Sequence, residues 1–179
     1  MLQINDSVLI IIDVQGRLAQ LMDEKEMLFN NLQRMIKGAQ ILGIPIIWNE
    51  QTPEKLGATI PEVKNLLSDL QPIPKVSFSC CGNENFMQKL TTLNRKKLLL
   101  TGIETHVCVY QTAIDLLNKG FEVQVVADAV SSRTLTNKQI GLERMKESGA
   151  RLTTVEMVLF EMLKKAEGDK FKEIIRIVK

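Results

Sequence analysis

Asp13, Lys75 and Cys108 are the residues of this chain whose types and places can do chemistry together. Each falls at or just beyond the end of a segment that reads as a β-strand, and open α/β sheets bind ligands beyond the carboxyl ends of their strands. A carboxylate can take a proton, a lysine can hold that carboxylate by charge, and a thiol can become a nucleophile. Each also has a plainer reading. An aspartate ending a buried strand can cap the next turn, a lysine in a proline-containing loop can be solvated, and a cysteine on an apolar helix face can be a small buried hydrophobe. Cys108 stands apart because of what precedes it. Residues 98–100 read as buried strand, Gly102 breaks it, and a helix starts around Thr105 to Val107. The sulfur then lies near a helix N-terminus, where free N–H groups favour thiolate and can hold a developing oxyanion. This strand–turn–nucleophile–helix layout follows the logic of a nucleophile elbow, although no Gly-x-Ser-x-Gly is present.

The elements that must position these residues alternate along the chain. Ser7–Ile12 is β-branched and apolar on both faces, the pattern of a strand buried in a parallel sheet. Residues 24–42 follow at helical spacing and stop at Gly43, and residues 44–48 read as the next strand. Residues 49–60, with Pro53 and Gly57, read as a loop. A short helix is expected over 61–67, a strand near 76–78 after Pro72 and Pro74, and a helix over 83–94. The second half predicts strands at 97–101, 122–127 and 152–154, with helices at 106–118, 134–148 and 155–164. Residues 170–178, with Phe171, Ile174, Ile175 and Val178 on one face, read as a docking helix. Strands alternating with helices imply right-handed crossovers. The expected fold is α/β: a single domain over 1–179, three-layered and doubly wound, its mostly parallel sheet of about six strands carrying helices on both faces.

Composition narrows the function classes. The 23 Lys and Arg against 21 Asp and Glu leave +2, which is no electrostatic footprint for a dedicated nucleic-acid or anionic-membrane binder. The apolar run from Val8 ends at Asp13, far short of the about 20 residues a spanning helix needs, and it lacks a signal-peptide pattern. Three cysteines cannot pair completely within the chain, and Cys80 and Cys81 are adjacent. Reduced thiols in the cytoplasm are therefore expected. A single histidine, His106, rules out a site with two or more His ligands from one chain. No Gly-rich phosphate cradle is present.

The stretches Leu9-Ile10-Ile11-Ile12-Asp13-Val14-Gln15, Pro74-Lys75-Val76-Ser77-Phe78 and Gly102-Ile103-Glu104-Thr105-His106-Val107-Cys108-Val109 carry a resemblance. Across essentially its whole length the chain resembles the isochorismatase-like cysteine hydrolase superfamily, whose fold is Rossmann-like. Asp13 matches the catalytic aspartate, Lys75 the lysine and Cys108 the nucleophile. Residues 49–62, 128–133 and 171–174 look more particularly like the isochorismatase domain-containing subgroup, whose substrates are poorly defined.

The resemblance implies that Asp13 takes the thiol proton of Cys108 while Lys75 holds the aspartate. Cys108 would attack a carbonyl, expel ammonia or an amine, and leave an acyl-thioester for water to hydrolyse. It also implies a cis peptide at Ile103-Glu104, with the N–H groups of Glu104 and Cys108 as the oxyanion hole. Gln15, Trp48, Gln51, Thr105 and His106 are candidates for the substrate-binding wall. Nicotinamidases of the superfamily carry a metal on an aspartate and two histidines after the second strand. Here that region reads Trp48-Asn49-Glu50-Gln51-Thr52, so neither a metal site nor any cofactor is expected. Isochorismatases proper resemble a branch without cysteine at the nucleophile position, and Cys108 argues against that chemistry.

His106 lies two residues before Cys108, which leaves a Cys–His dyad open beside substrate contact or packing. Trp48 is equally at home in a core or an interface, and the Cys80-Cys81 pair fits loop packing better than redox chemistry. Three readings stand: a cofactor-free cysteine hydrolase of a small-molecule substrate, a thiol-redox-responsive protein using Cys108, and a binding or scaffold protein without turnover. A receiver domain fits poorly, because Asp13 stands alone after the first strand. The loop 49–60, the helix 155–164 and the apolar face around Phe171 and Ile175 offer surface for a homo-oligomer, a dimer or a multiple of it.

Overall fold

The computed structural model describes residues 1–179. Six strands form one sheet: β1 (Ser7–Ile12), β2 (Ile46–Gln51), β3 (Ile73–Lys75), β4 (Lys97–Ile103), β5 (Glu122–Ser131) and β6 (Arg151–Thr153). Their order is β3-β2-β1-β4-β5-β6, and every pairing is parallel. The order turns back between β1 and β4, and the crevice beyond those two strands is where such folds bind ligands. Asp13 follows β1 and Cys108 follows β4, so topology alone carries two of the three candidates to one place.

All six residues of β1 are buried. Leu9 and Ile11 point into one core with α2 (Lys25–Leu42), α8 (Val155–Leu163) and Ile174 of α9 (Gly168–Val178). Val8, Ile10 and Ile12 point into the other, with α5 (Glu84–Thr92) and α6 (Tyr110–Asn118). Period-two alternation thus gives each face its own apolar layer. α2 ends as its sequence requires, at Gly43 in the left-handed region (φ 76°), whose N–H reaches Gln40 O. The remaining helices are α1 (Gly16–Gln20), α3 (Pro53–Leu56), α4 (Pro61–Lys64) and α7 (Leu135–Glu147).

Three differences from the expected elements bear on the site. β2 runs on through the polar residues Asn49, Glu50 and Gln51, because they pair with Ile73, Pro74 and Lys75. β3 is correspondingly Ile73–Lys75 and not 76–78; Pro74 is tolerated because β3 is an edge strand. Val76, outside it, is 83% exposed. The segment before α6 is a single π-helical turn, Thr105–Val109, so Cys108 does not open a regular α-helix. Of the helix 155–164, Val158, Leu159 and Met162 are buried, and Met157 and Phe160 stay exposed.

Candidate active site

Asp13 leaves β1 with a left-handed backbone (φ 53°), held by its N–H to Asn49 O at 3.2 Å. Beside it β4 passes so close to β1 that a Cβ on Gly102 (φ +107°) would overlap the Ile12 carbonyl oxygen. Only glycine fits there, for backbone conformation and for space. The Ile103–Glu104 peptide that follows is cis. Gly141 of α7 lies against the backbone of Thr105 and His106, so α7 seats directly on the cysteine turn.

Asp13, Lys75 and Cys108 come together. Lys75 Nζ donates to Asp13 Oδ2 at 2.7 Å, and neither side chain is more than 2% exposed. The same ammonium donates to Gln51 Oε1 at 2.8 Å, Phe78 O at 3.0 Å and Ser77 O at 3.2 Å. Asp13 Oδ1 is buried with no hydrogen-bond partner. The thiol of Cys108 sits beside Asp13, and both line one pocket of about 100 Å³.

Burial pushes the Asp13 carboxyl above its ordinary range, and the pull of Lys75 does not fully offset it. Burial likewise pushes the Cys108 thiol up, with the Asp13 charge adding to the effect and Lys75 opposing it. The expectation that a helix N-terminus would favour thiolate at rest is therefore corrected. Burial thus favours the neutral thiol, and Asp13 beside it keeps one oxygen unpartnered. Cys80 and Cys81 are also pushed up by burial, to about 12 and about 11.

The other expected wall residues divide. Gln51 lines the pocket, with its side-chain carbonyl on Lys75 and its Nε2 donating to Val76 O at 2.6 Å. Ile103 and Glu104 line it too. Gln15 is fully buried and is no wall residue: its Nε2 donates to Gly57 O and Gln51 O, and its Oε1 accepts from Gln51 N. It positions Gln51, which in turn positions Lys75. Trp48 points to the other face of the sheet, donates to Thr59 Oγ1 at 2.8 Å and lines a larger cavity of about 550 Å³ away from Cys108. Thr105 is fully buried with its Oγ1 unpartnered. His106 pairs its Nδ1 with Ser132 Oγ at 2.9 Å, outside the pocket, which leaves the Cys–His dyad without support.

Sequence reasoning missed Leu18, Leu56, Phe78 and Val107, which supply the apolar wall. Leu18 sits on α1, a helix too short to show periodicity, and Leu56 lies in the stretch read as loop. It also missed the contacts of Glu104 Oε2, which accepts from Arg133 N and Nε, both at 3.1 Å. No three His, Cys, Asp or Glu side chains converge as a metal-ligand set. No helix is long and apolar enough to cross a membrane.

Comparison with known proteins fits this geometry. Residues 7–157 match the family model described as the isochorismatase domain. The chain is 38% identical over 179 residues to the secreted isochorismatase effector Isc1 of Phytophthora sojae, with 98% of this chain and 85% of that protein covered. It is 42% identical over 147 residues to isochorismatase domain-containing protein 1 of Danio rerio, covering 82% of this chain but 52% of the relative. The chain thus spans about half the length of that relative. The MAR1 ribonuclease structure from Caenorhabditis elegans superposes with a TM-score of 0.92 at 36% identity, covering 99% and 91% of the two chains. YcaC from Pseudomonas aeruginosa, solved with hexane-2,5-diol and covalent acrylamide, gives 0.93 at 25%, covering 98% and 90%. YcaC from Escherichia coli, described as an octameric hydrolase of unknown specificity, gives 0.93 at 26%, covering 98% and 88%. A family model spanning most of the chain, on a sheet that brings Asp13, Lys75 and Cys108 to its switch point, places this protein in the isochorismatase family.

Proposed function

We propose that this member of a hydrolase family is a cysteine hydrolase that cleaves a small amide, or a related carbonyl compound, through an acyl-thioester on Cys108. One observation carries the reading: Asp13 keeps Oδ2 on Lys75 and leaves Oδ1 without a partner beside the Cys108 thiol, in a pocket. Asp13 takes the thiol proton as sulfur bonds to the substrate carbonyl carbon. It returns that proton to the leaving nitrogen as the C–N bond breaks, and ammonia or an amine departs. Water then gives a proton to Asp13 and its hydroxide to the thioester carbon, and the departing thiolate recovers the proton. Asp13 ends as it began, and the product is a carboxylic acid. Lys75 holds Asp13 throughout and limits how far burial raises it.

The N–H groups of Glu104 and Cys108 are the proposed oxyanion donors; that of Glu104 donates to no backbone carbonyl. The covalent acrylamide in the Pseudomonas relative supports a nucleophile that accepts a small amide-bearing electrophile. The ribonuclease activity named for the nematode neighbour is not carried over, because a pocket of about 100 Å³ with an apolar wall is too small for a nucleotide. The donor set does not fit the metal of the nicotinamidase branch, and no step passes through one. A redox role loses ground because the resting thiol is held neutral. The proposal extends to one domain over 1–179, working in the cytoplasm, where three free thiols persist. A homo-oligomer is proposed from the octameric Escherichia coli relative and from exposed Val76, Met157 and Phe160.

Ammonia release from a panel of small amides, with intact-mass detection of an acyl adduct, tests the reading. Wild type should show both, and Cys108→Ala neither, with its circular dichroism unchanged. Wild-type protein that gives no ammonia and no adduct with any amide would overturn it.

A further inference from the structure

Whatever substrate enters this pocket meets a wall that carries no cation. The apolar part is Leu18, Leu56, Phe78, Ile103 and Val107. The other polar side chains on the wall, Gln51 and Glu104, already hold hydrogen bonds. Gln51 spends its carbonyl on Lys75 and its amide on Val76 O. Glu104 accepts from Arg133 N and Nε through Oε2. Lys75, the nearest cation, has three N–H bonds to give and four acceptors within 3.2 Å, so none is free for a ligand. A charged acyl group would lose its water and gain no partner, and a polar one would leave its own donors unpaired.

Size narrows the class further. An apolar cavity of about 150 Å³ holds a benzene ring, so about 100 Å³ encloses about four non-hydrogen atoms. Phe78 is 55% exposed and marks the solvent side, where a leaving group can depart. On the footing of the amide-hydrolase reading, we infer that the acyl group this site accepts is short, uncharged and aliphatic, of the size of propionyl to isobutyryl. Aromatic acyl groups exceed the space, and acyl groups ending in carboxylate meet no cation on the lining. The specificity is thus set by Leu18, Leu56 and Phe78 together with the full occupation of Lys75.

The test compares propionamide, isobutyramide, benzamide and succinamate, reading ammonia release and, separately, protection of Cys108 from iodoacetamide. The two short amides should show kcat/KM at least about a hundredfold above the other two, and they alone should slow alkylation. Benzamide or succinamate turned over or protecting as well as the short amides would overturn the inference and leave the hydrolase reading standing. Protection by the short amides with no ammonia from any would overturn the hydrolase reading and leave the pocket's selectivity standing; absence of both overturns both. Leu18→Ala widens the wall and should raise benzamide turnover relative to propionamide by about tenfold. An unchanged ratio in a folded variant would also count against the inference.

Discussion

Replacing Lys75 by Met keeps a long side chain in the core and removes its charge, which isolates the electrostatic role of the lysine. In the native protein the Lys75 ammonium lies 2.7 Å from Asp13 Oδ2 with both side chains at most 2% exposed. Removing one member of a buried pair leaves the other uncompensated, a loss of about 3–5 kcal/mol. Burial already holds Asp13 above its ordinary value of 3.8 with Lys75 in place, and without Lys75 it rises further. A carboxyl whose folded pKa exceeds its unfolded value contributes most to stability in acid, and that contribution is lost as pH rises through the folded value. The variant's deficit therefore grows from acid toward neutral pH, by up to about 1.4 kcal/mol per pH unit in the window between the two values. At pH 8 the full deficit, divided by a urea slope of about 2 kcal/mol/M, moves the midpoint down by about 2 M. Urea unfolding of wild type and variant at pH 5, 6, 7 and 8 checks this. A deficit that stays flat with pH, or one below about 1 kcal/mol at pH 8 as for an exposed pair, would refute the reasoning.

Two further outcomes are expected. Limiting iodoacetamide should label Cys108 ahead of Cys81 although Cys81 is the more exposed, because only Cys108 has Asp13 to take its proton, and Asp13→Asn should abolish that preference; peptide mapping that finds Cys81 first would count against Asp13 as the base. Gly102→Ala should cost about 3 kcal/mol or more and lower Tm by about 10 °C, since the new methyl overlaps the Ile12 carbonyl in a φ region costly for L-residues.

The parts of the site legible in the sequence are those that local patterns encode. The apolar run before Asp13, the break at Gly102 and the helix after Cys108 each mark a strand end, and a parallel sheet gathers such ends on one side. Lys75 was placed near its strand, yet the strand itself was displaced, because Asn49, Glu50 and Gln51 look like loop and Pro74 looks like a break. Their pairing is tertiary: an edge strand accepts proline and polar residues when its neighbour is already held in the sheet. The roles of Gln15 and Gln51 were equally invisible. Nothing in their spacing says that one glutamine clamps the other, which then takes a hydrogen bond from Lys75. The thiolate expectation failed because it weighed the helix terminus and left out burial.

Burial acts on both reacting groups in the same direction, and that is how the site reconciles a silent resting state with a strong base. Removing water from Cys108 disfavours its anion, so the thiol keeps its proton when no electrophile is present. Removing water from Asp13 disfavours its anion as well, so this carboxylate holds a proton more firmly than one in solvent. The proton then moves between two groups whose affinities have risen together. Lys75 opposes that rise, and four acceptors surround its three N–H bonds. Gln15 and Gln51 hold that lysine in place, and the chain of contacts runs from the β2 end to the nucleophile. The same arrangement also leaves the Lys75 ammonium no N–H for a ligand. In the proposed mechanism, control of proton transfer and preference for a neutral substrate are consequences of one packing solution.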